Sequence, residues 1–474
     1  MGKLARVGAT MDLDRLPSLW WDPSTPAEQR SGLVSRDAEG AITIELIGTL
    51  SGSPFPMREP EPEILHGVGN QGPLFTARRT MRSGARFSAP GFPSEILRPR
   101  SMIVGGHVDE TTRYNQALLR TSFLADWLQM SGVVVDMTEG TDDQKGSVGV
   151  RYQWPTIQTS QVAPGVTIST WTGHQGKPTG SGYAIDEDVA LQVALETAIP
   201  LDDLLQKYVM PFLDLVSFGT GRSNAIDRLT VRTPSVVTVV GDKEHLDDLD
   251  FLTEWIAKPP KVRERLLDHQ MNFAARDVAM GFDELVRRWF VLHENLRLAL
   301  APFFGLLYAP PTYADLRLVS ISQALEAYDR SSGRSRQAMP TKEFASFKQV
   351  LMDACPEKHK DFLKQKLGYL NELSQVDRTN YLVERARVPL QRLLAKRPTF
   401  AVDFIASRNA KTHPDKEKTE MDGLQMYDLT ATATYLFTAC VMLDLGFDEN
   451  LCAQLFERQP AYIHLADNPP PAAS

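Results

Sequence analysis

The sequence predicts an α+β protein in which a β-rich N-terminal domain is followed by an all-α helical bundle. In residues 1–245, short β-branched runs alternate with Gly, Pro and Asp turns, which is typical of strands joined by tight connections. From residue 246 onwards, apolar residues recur at helical spacing almost to the end. A length of 474 residues favours two or three domains.

Strands are predicted at five places in the N-terminal part. The clearest is 41–50, because its apolar residues alternate and an Asp-Ala-Glu-Gly turn precedes it. The other four are 101–108, 147–154, 165–171 and 228–240. Two helices are predicted between them, at 113–129, where Leu119, Phe123 and Trp127 share one stripe, and at 201–218. The Pro-rich segment 52–63 predicts a loop.

Domain limits follow from these patterns. We predict a β-rich domain at 1–245, a helical connector at 246–310, a helical bundle at 311–467 and a disordered tail at 468–474. The connector contains one continuous helix, 282–300, by its periodicity. Pro310 and Pro311 mark its end, because paired prolines stop a helix.

Composition is that of an ordinary globular protein, with 42% hydrophobic and 23% charged residues. No apolar run approaches the ~20 residues that a membrane span needs, and the N-terminus lacks the apolar core of a signal peptide. Three scattered cysteines are too few for a disulfide framework or a zinc site. The expectation is therefore a cytoplasmic protein with no cofactor, no metal and no membrane partner.

Charge is unevenly distributed along the chain. The formal net charge is −8, yet residues 330–397 hold 15 Lys and Arg against 7 Asp and Glu. This stretch includes Arg334 and Arg336 in a Ser-Ser-Gly-Arg-Ser-Arg loop, which composition predicts to be flexible. An RNA backbone is a plausible partner for it, and a set of solvated helix faces is the alternative. Residues 398–474 are acidic, with 5 basic against 11 acidic residues, which would repel RNA unless those acids face away.

A candidate catalytic motif lies at Arg408-Asn409-Ala410-Lys411-Thr412-His413. Arginine holds a phosphate through its planar guanidinium at any pH. Histidine takes and returns a proton near neutrality. Because Pro414 follows His413 and disfavours the helical conformation of the residue before it, we expect His413 at a helix end, free to approach Arg408. This pair could cleave RNA without a metal.

The same R-x-x-x-x-H pattern occurs at Arg288 and His293, which serves as an internal control. Here the four intervening residues are all apolar and lie within a predicted helix. Five residues correspond to about 500° of helical turn, which separates the two side chains in azimuth. We therefore predict a structural role for His293.

The C-terminal third, about 315–457, resembles HEPN domains, a helical ribonuclease fold of bacterial anti-phage and toxin systems. The resemblance rests on Arg408-Asn409 followed by His413, on the helix 321–329 and on the apolar run 435–445. The N-terminal half resembles the β-rich region of ApeA-like defence proteins, through Trp20-Trp21-Asp22-Pro23, the segments 32–33 and 40–50, and Leu124-Ala-Asp-Trp-Leu128.

The resemblance implies that Arg408 and His413 of two subunits converge across a homodimer. His413 would activate a ribose 2′-hydroxyl and Arg408 would hold the scissile phosphate, which gives a 2′,3′-cyclic phosphate and a 5′-hydroxyl. A relative has a modified Tyr two residues after the His; Asp415 stands at that position here, so that regulation is not carried over.

Supporting residues remain open to two interpretations. Asn409 either orients Arg408 or the phosphate, or ends the helix. Glu326 either partners the motif arginine, as in similar proteins, or is a surface acid on an amphipathic helix. Lys411, Thr412, Arg334 and Arg336 are candidate RNA contacts.

The function expected from these features is a metal-independent endoribonuclease of abortive infection. It would cleave host RNA, with tRNA as a candidate, once phage components engage the N-terminal half. The alternative is a non-catalytic HEPN-type dimerisation or RNA-binding scaffold that recruits another effector.

Overall fold

The computed structural model describes residues 13–50, 61–70, 72–86, 90–138, 147–180, 182–256, 265–309, 313–368, 370–412 and 422–468. The chain divides into two compact units. The first contains residues up to 267 together with 273–287, and the second contains 268–272 and the chain from 288 onwards. The prediction of an α+β protein with a β-rich N-terminal region and a helical C-terminal region is confirmed.

Sixteen strands are described in the first unit. They are β1 (Leu16–Trp21), β2 (Arg30–Arg36), β3 (Ile42–Ile47), β4 (Ile64–Gly69), β5 (Leu74–Arg86), β6 (Ser94–Val104), β7 (Arg113–Thr121), β8 (Val133–Thr138), β9 (Ser147–Tyr152), β10 (Thr159–Ala163), β11 (Val166–Thr179), β12 (Gly182–Pro200), β13 (Ile226–Arg232), β14 (Val237–Val240), β15 (Lys243–Leu246) and β16 (Leu249–Thr253).

Twelve of these strands form one sheet in the order β10-β11-β12-β7-β13-β16-β6-β3-β2-β1-β4-β5. Because β5 also pairs with β6, strands β1 to β6 close on themselves. Their inward residues alternate along each strand, as the burial of Ile42, Ile44 and Leu46 on β3 shows. This confirms the strand predicted at 41–50. Trp20 is fully buried in the same core and stacks on Phe75 at 5.7 Å between ring centroids.

The helix predicted at 113–129 is wrong over most of its length. Residues Arg113–Thr121 form β7, a strand with β12 on one side and β13 on the other. Its backbone groups are satisfied by two neighbouring strands, and this tertiary pairing overrides the local helical pattern. Only α1 (Leu124–Leu128) is helical there, and it buries Trp127.

The helix predicted at 201–218 is confirmed. It consists of α2 (Leu201–Leu204), a π-helical turn (Leu205–Val209) and α3 (Met210–Thr220). The strand predicted at 228–240 is two strands, β13 and β14, which are interrupted near Pro234 because proline cannot donate to the ladder. Helical structure also begins later than predicted, since β16 lies in the middle of the large sheet.

Eleven further α-helices are described after β16. They are α4 (Gly281–Asn295), α5 (Arg297–Tyr308), α6 (Ala314–Ser331), α7 (Thr341–Ala354), α8 (Lys360–Leu367), α9 (Gln375–Arg385), α10 (Gln391–Leu394), α11 (Phe400–Thr412), α12 (Gly423–Leu445), α13 (Glu449–Glu457) and α14 (Pro460–Asp467).

The predicted continuous helix 282–300 is wrong, because α4 and α5 are separate helices that meet at a 101° bend. Leu296 lies between them with φ −101° and ψ 14°, outside the helical region, and its side chain is buried. The Pro310–Pro311 boundary, much of the 52–63 loop and most of the tail fall outside the described residues.

Helix α12 forms much of the core of the second unit. Phe437 stacks on Phe303 of α5 at 4.8 Å and contacts Tyr328 of α6 edge-on at 6.0 Å. Two buried threonines of α12 donate their hydroxyl hydrogens to the carbonyl one turn earlier, Thr430 to Met426 at 2.8 Å and Thr438 to Thr434 at 2.9 Å. Polar side chains are thereby accommodated in an apolar interior.

Candidate active site

The candidate motif lies at the C-terminal end of α11. Phe400, Phe404 and Ile405 recur at helical spacing and are buried, and the two phenylalanine rings stack at 5.4 Å. Phe404 and Ile405 face α6 and α9 across a small cavity of about 20 Å³. The buried face of α11 therefore fixes the orientation of the helix end that carries the motif residues.

Arg408 follows Phe404 by one helical turn and is partly buried. Its Nη1 donates to Oδ1 of Asn409 at 3.1 Å, and its Nε is shielded from solvent. The side chain of the next residue thus restrains the guanidinium. This contact agrees with an orienting role for Asn409, which lies within α11 rather than after its last residue.

The last described residue of α11 is Thr412. His413 and the segment up to 421 lie outside the described residues, as does the Thr412 side chain. The approach of His413 to Arg408 therefore stays a prediction.

Arg288 and His293, the second copy of the pattern, lie inside a single helix, α4. His293 packs its ring against Trp289, with centroids 5.7 Å apart. Arg288 donates through Nη1 to the carbonyl of Leu445 at 3.3 Å. The packing of His293 on Trp289 agrees with the structural role predicted for that histidine.

Glu326 lines the small cavity beside α11. Its carboxylate accepts from Nη2 of Arg330 at 2.7 Å and from Nε2 of Gln375 at 3.3 Å. The side chain is 25% exposed, so it is neither a free surface acid nor a fully buried one. Its role as the partner of Arg408 stays a prediction.

An ion pair of Lys411 links the end of α11 to the start of α6. Its Nζ lies 3.2 Å from Oδ1 of Asp315. Tyr313 and Leu316, which flank that aspartate, are 85% and 58% exposed. An exposed apolar surface therefore lies beside the motif end of α11.

The basic loop that contains Arg334 and Arg336 has fixed partners in the structure. Arg334 lies over the ring of Tyr381 at 3.9 Å and pairs with the buried carboxylate of Asp329 at 3.0 Å. Gln337 forms an isolated bridge to Glu372. These contacts hold the loop that composition predicted to be flexible. Arg334 is committed within the bundle, whereas Arg336 is exposed and donates to the carbonyl of Arg330.

Sequence reasoning missed two polar networks, one buried and one partly buried around the buried Tyr328. Arg397 pairs with Asp428, with Nε and Oδ2 2.9 Å apart, and both side chains are less than 8% exposed. Tyr328 donates to Asp444 at 2.5 Å, and Arg385 pairs with the same carboxylate. Burial, first of all, raises the pKa of Tyr328, and the neighbouring Cys440 and Asp444 raise it further. The sequence did contain a signal for both networks: Asp428 and Asp444 are isolated acids within the apolar run of α12, and a buried acid needs a partner.

Within the part of the chain that the structure describes, no group of three or more His, Cys, Asp or Glu residues is placed to hold a metal ion. No single described helix is long and apolar enough to cross a membrane, although the bent pair α4 and α5 meets that test when counted together.

Two family models match the chain. The model described as ApeA N-terminal domain 1 matches residues 18–289. The model described as Apea-like HEPN matches residues 319–451, which include Arg408 and His413. No curated protein and no solved structure gives a match.

Proposed function

The chain belongs to the ApeA family and carries an ApeA-like HEPN domain, and on that premise we propose that it is a metal-independent endoribonuclease of anti-phage defence. Family membership points to a defence-associated HEPN protein, and HEPN domains are typically ribonucleases. Beyond this, we propose the reaction, the residues that carry it out and the RNA that is cleaved.

The observation that carries the proposal is the placement of Arg408. It stands on the helix that also anchors Phe404 and Ile405 in the core, and its guanidinium is restrained by Asn409. A phosphate-binding group needs this kind of support, because a preorganised donor stabilises developing charge without reorganising during the reaction. His413 follows five residues later in the sequence.

The proposed reaction is an internal transesterification. His413 removes the proton from a ribose 2′-hydroxyl, and the 2′-oxygen attacks the adjacent phosphorus. The P–O5′ bond breaks, and the leaving 5′-oxygen takes up the proton that His413 returns as general acid. The products are a 2′,3′-cyclic phosphate and a 5′-hydroxyl. Arg408 binds the non-bridging phosphate oxygens, whose negative charge grows in the transition state.

A homodimer through the HEPN domain is part of the proposal. HEPN domains commonly dimerise, and the exposed Tyr313 and Leu316 give an apolar surface next to the motif end of α11. Pairing two copies there would bring two Arg408 residues to one RNA strand. Lys411, Thr412, Arg334 and Arg336 are the candidate RNA contacts, and Arg336 is the more available of the two loop arginines because Arg334 pairs with Asp329.

The biological role proposed is abortive infection. The β-rich first unit would sense a phage component, and the helical unit would then cleave host RNA, with tRNA as a candidate. An unrestrained nuclease of this kind is toxic to its own cell, so the resting protein is expected to be held inactive until the trigger arrives.

The test is cleavage of total bacterial RNA by the purified full-length protein in excess chelator, with and without lysate from phage-infected cells. Fragments with 2′,3′-cyclic phosphate ends from the wild type, and none from the His413→Ala variant, are expected. Intact RNA under both conditions, together with retained phage protection by the variant, would favour the non-catalytic scaffold. Cleavage abolished by the chelator would contradict the metal-independent mechanism.

A further inference from the structure

The first unit contains an open cavity of about 410 Å³ that is remote in sequence from the nuclease motif. Four segments meet around it: strand β4, the connection from β6 into β7, the end of β12 and the turn after β13. The lining residues are His66, His107, Val108, Asp109, Thr111, Thr112, Arg113, Ala198, Pro234 and Ser235. We call it the histidine cavity. Its volume is that of ordinary small-molecule sites.

Two imidazole rings form one wall of the histidine cavity. His66 and His107 stack with centroids 4.4 Å apart and planes 5° from parallel. Each ring bonds through Nε2 to a backbone carbonyl, His66 to Val108 at 3.0 Å and His107 to Gly67 at 2.9 Å. A carbonyl only accepts, so each Nε2 carries a hydrogen, and Nδ1 remains to accept when the ring is neutral or to donate when it is charged. Trp21 packs edge-on to both rings, with centroids 6.3 Å from His66 and 5.3 Å from His107.

The charged groups of the histidine cavity differ in whether they already have hydrogen-bond partners. Asp109 accepts through Oδ1 from the backbone N–H of Thr111 at 2.9 Å and from the hydroxyls of Thr111 and Thr112 at 2.7 and 3.1 Å. The Thr111 hydroxyl bond, with these other bonds, holds the pKa of Asp109 below its usual value despite some burial. Arg113 is exposed, and its guanidinium forms no hydrogen bond or ion pair with another residue in the described ranges, whereas its backbone carbonyl accepts from the hydroxyl of Thr233 at 2.7 Å. The lining therefore contains one guanidinium without a described partner, that of Arg113, together with the two titratable rings of His66 and His107.

A second cavity of about 250 Å³ adjoins the first and shares Asp109 and Thr112 with it. Arg79 pairs there with Asp202 at 2.6 Å, and the buried Tyr114 is also a lining residue. The remaining charged lining residues are Glu63, Arg78 and Glu110. This second cavity offers both donors and acceptors, which suits the polar, uncharged part of a larger ligand.

We propose that the two cavities form one binding site for a small phosphate-bearing molecule. The phosphate would lie against Arg113 and the His66–His107 pair, and the rest of the molecule would occupy the adjoining cavity. Guanidinium and imidazolium groups form charge-assisted hydrogen bonds with phosphate oxygens. The site lies in the first unit and is independent of the proposed nuclease chemistry.

Binding at this site is coupled to proton uptake. Two charged imidazoles at stacking distance repel each other. Burial lowers the pKa of His107, and the charge of His66 lowers it further, while the bond to the Gly67 carbonyl opposes both. A bound anion favours the imidazolium form, so affinity rises as pH falls. The other charged groups around the two cavities are Asp109, Arg113, Glu63, Arg78, Arg79, Glu110 and Asp202.

The test is isothermal titration of the full-length protein with sulfate, inorganic phosphate, adenosine 5′-monophosphate and, as an uncharged control, adenosine. Sulfate does not change its charge over the range used, so it isolates the titration of the protein. We expect sulfate to bind more tightly when the pH falls from about 7.5 to about 6. Tighter binding of the nucleotide than of phosphate would identify an organic phosphate as the ligand, and equal binding would identify free phosphate.

Matched arginine variants distinguish anion binding at the proposed site from anion binding by general surface charge. Arg113→Gln is expected to weaken anion binding about tenfold or more. Arg98→Gln removes an exposed arginine of β6 outside both cavities and should leave binding unchanged. His107→Gln, with its fold checked by circular dichroism, should reduce the pH dependence. Absence of anion binding, equal binding of adenosine and the nucleotide, or equal loss in both arginine variants would overturn the proposal, whatever the ribonuclease assay shows.

Discussion

The chain contains the pattern R-x-x-x-x-H twice, and the two copies occupy different positions in their helices. Arg288 and His293 both lie inside α4, where His293 packs on Trp289 and Arg288 bonds to Leu445. Arg408 lies near the end of α11, beside Asn409, and His413 comes after the last described residue of that helix. The same pattern can therefore lie wholly inside one helix or extend past the last described residue of another, so the pattern alone does not predict how its two side chains are placed. Within one continuous helix, five residues place the side chains on different faces.

The largest effect is expected when each copy of the pattern is removed separately. Arg408→Ala and His413→Ala should each lower the rate of RNA cleavage by at least about 100-fold, because in the proposed reaction each removes a group that acts on the transition state. The rate is measured with labelled RNA under the activating condition.

Arg288→Ala and His293→Ala are the matched controls for that experiment. They remove the same residue types and are expected to leave the rate unchanged once the fraction of folded protein is accounted for. A rate loss in these variants as large as in the Arg408 variant would mean that the two copies are not functionally different.

A second prediction separates chemistry from stability within the same region. Arg397, just before α11, forms a buried ion pair with Asp428, so Arg397→Ala leaves a buried carboxylate without its partner. We expect the free energy of unfolding to fall by about 3–5 kcal/mol. Arg408→Ala should change it much less.

Chemical denaturation followed by far-ultraviolet circular dichroism measures this difference. Arg392→Ala is the control, because Arg392 pairs with Asp467 and Glu457 at a far more exposed position and its loss should matter little. Equal destabilisation by the Arg397 and Arg392 variants would show that burial does not set the cost.

A third, smaller effect is expected at Asn409. Its Oδ1 accepts from the Arg408 guanidinium, and a hydrogen bond to a charged group is worth about 1.5 kcal/mol or more. Asn409→Ala should therefore lower the cleavage rate about tenfold with little change in thermal stability. If stability falls and the rate per folded molecule does not, Asn409 serves the helix rather than Arg408.

The smallest effect is expected at Glu326. Its contacts are with Arg330 and Gln375, and the pair with Arg330 is a partly exposed i,i+4 interaction. Glu326→Gln should change the free energy of unfolding by about 0.5 kcal/mol and the cleavage rate by no more than about twofold. A tenfold loss of rate at unchanged stability would instead establish Glu326 as a support for the motif arginine.

Sequence periodicity predicted the elements whose buried residues recur at regular spacing within the element itself. The alternation at 41–50 predicted β3, and the apolar run at 201–218 predicted the helical segment that ends in α3. The family resemblance and the division into a β-rich and a helical part were confirmed by both family models. The position of Arg408 on a helix next to an apolar face could also be predicted, since Phe400, Phe404 and Ile405 repeat at helical spacing.

Features that depend on distant residues could not be predicted in this way. Strand β7 has the spacing of a helix, and only its neighbours β12 and β13 make it a strand. The Arg397–Asp428 pair joins residues 31 positions apart. The stacked histidines come from β4 and from a loop 41 residues later, so neither signals the other in the sequence. For His413, the geometry of the candidate site stays a prediction.

The closure of strands β1 to β6 restricts how other molecules can engage this part of the protein. A strand whose backbone is already paired on both sides has no free row of N–H and C=O groups for an incoming chain. An extended peptide therefore cannot join these strands by adding a further one along their paired stretches. Recognition there would have to rely on side chains and on the connections between strands, where shape and charge rather than backbone complementarity decide specificity.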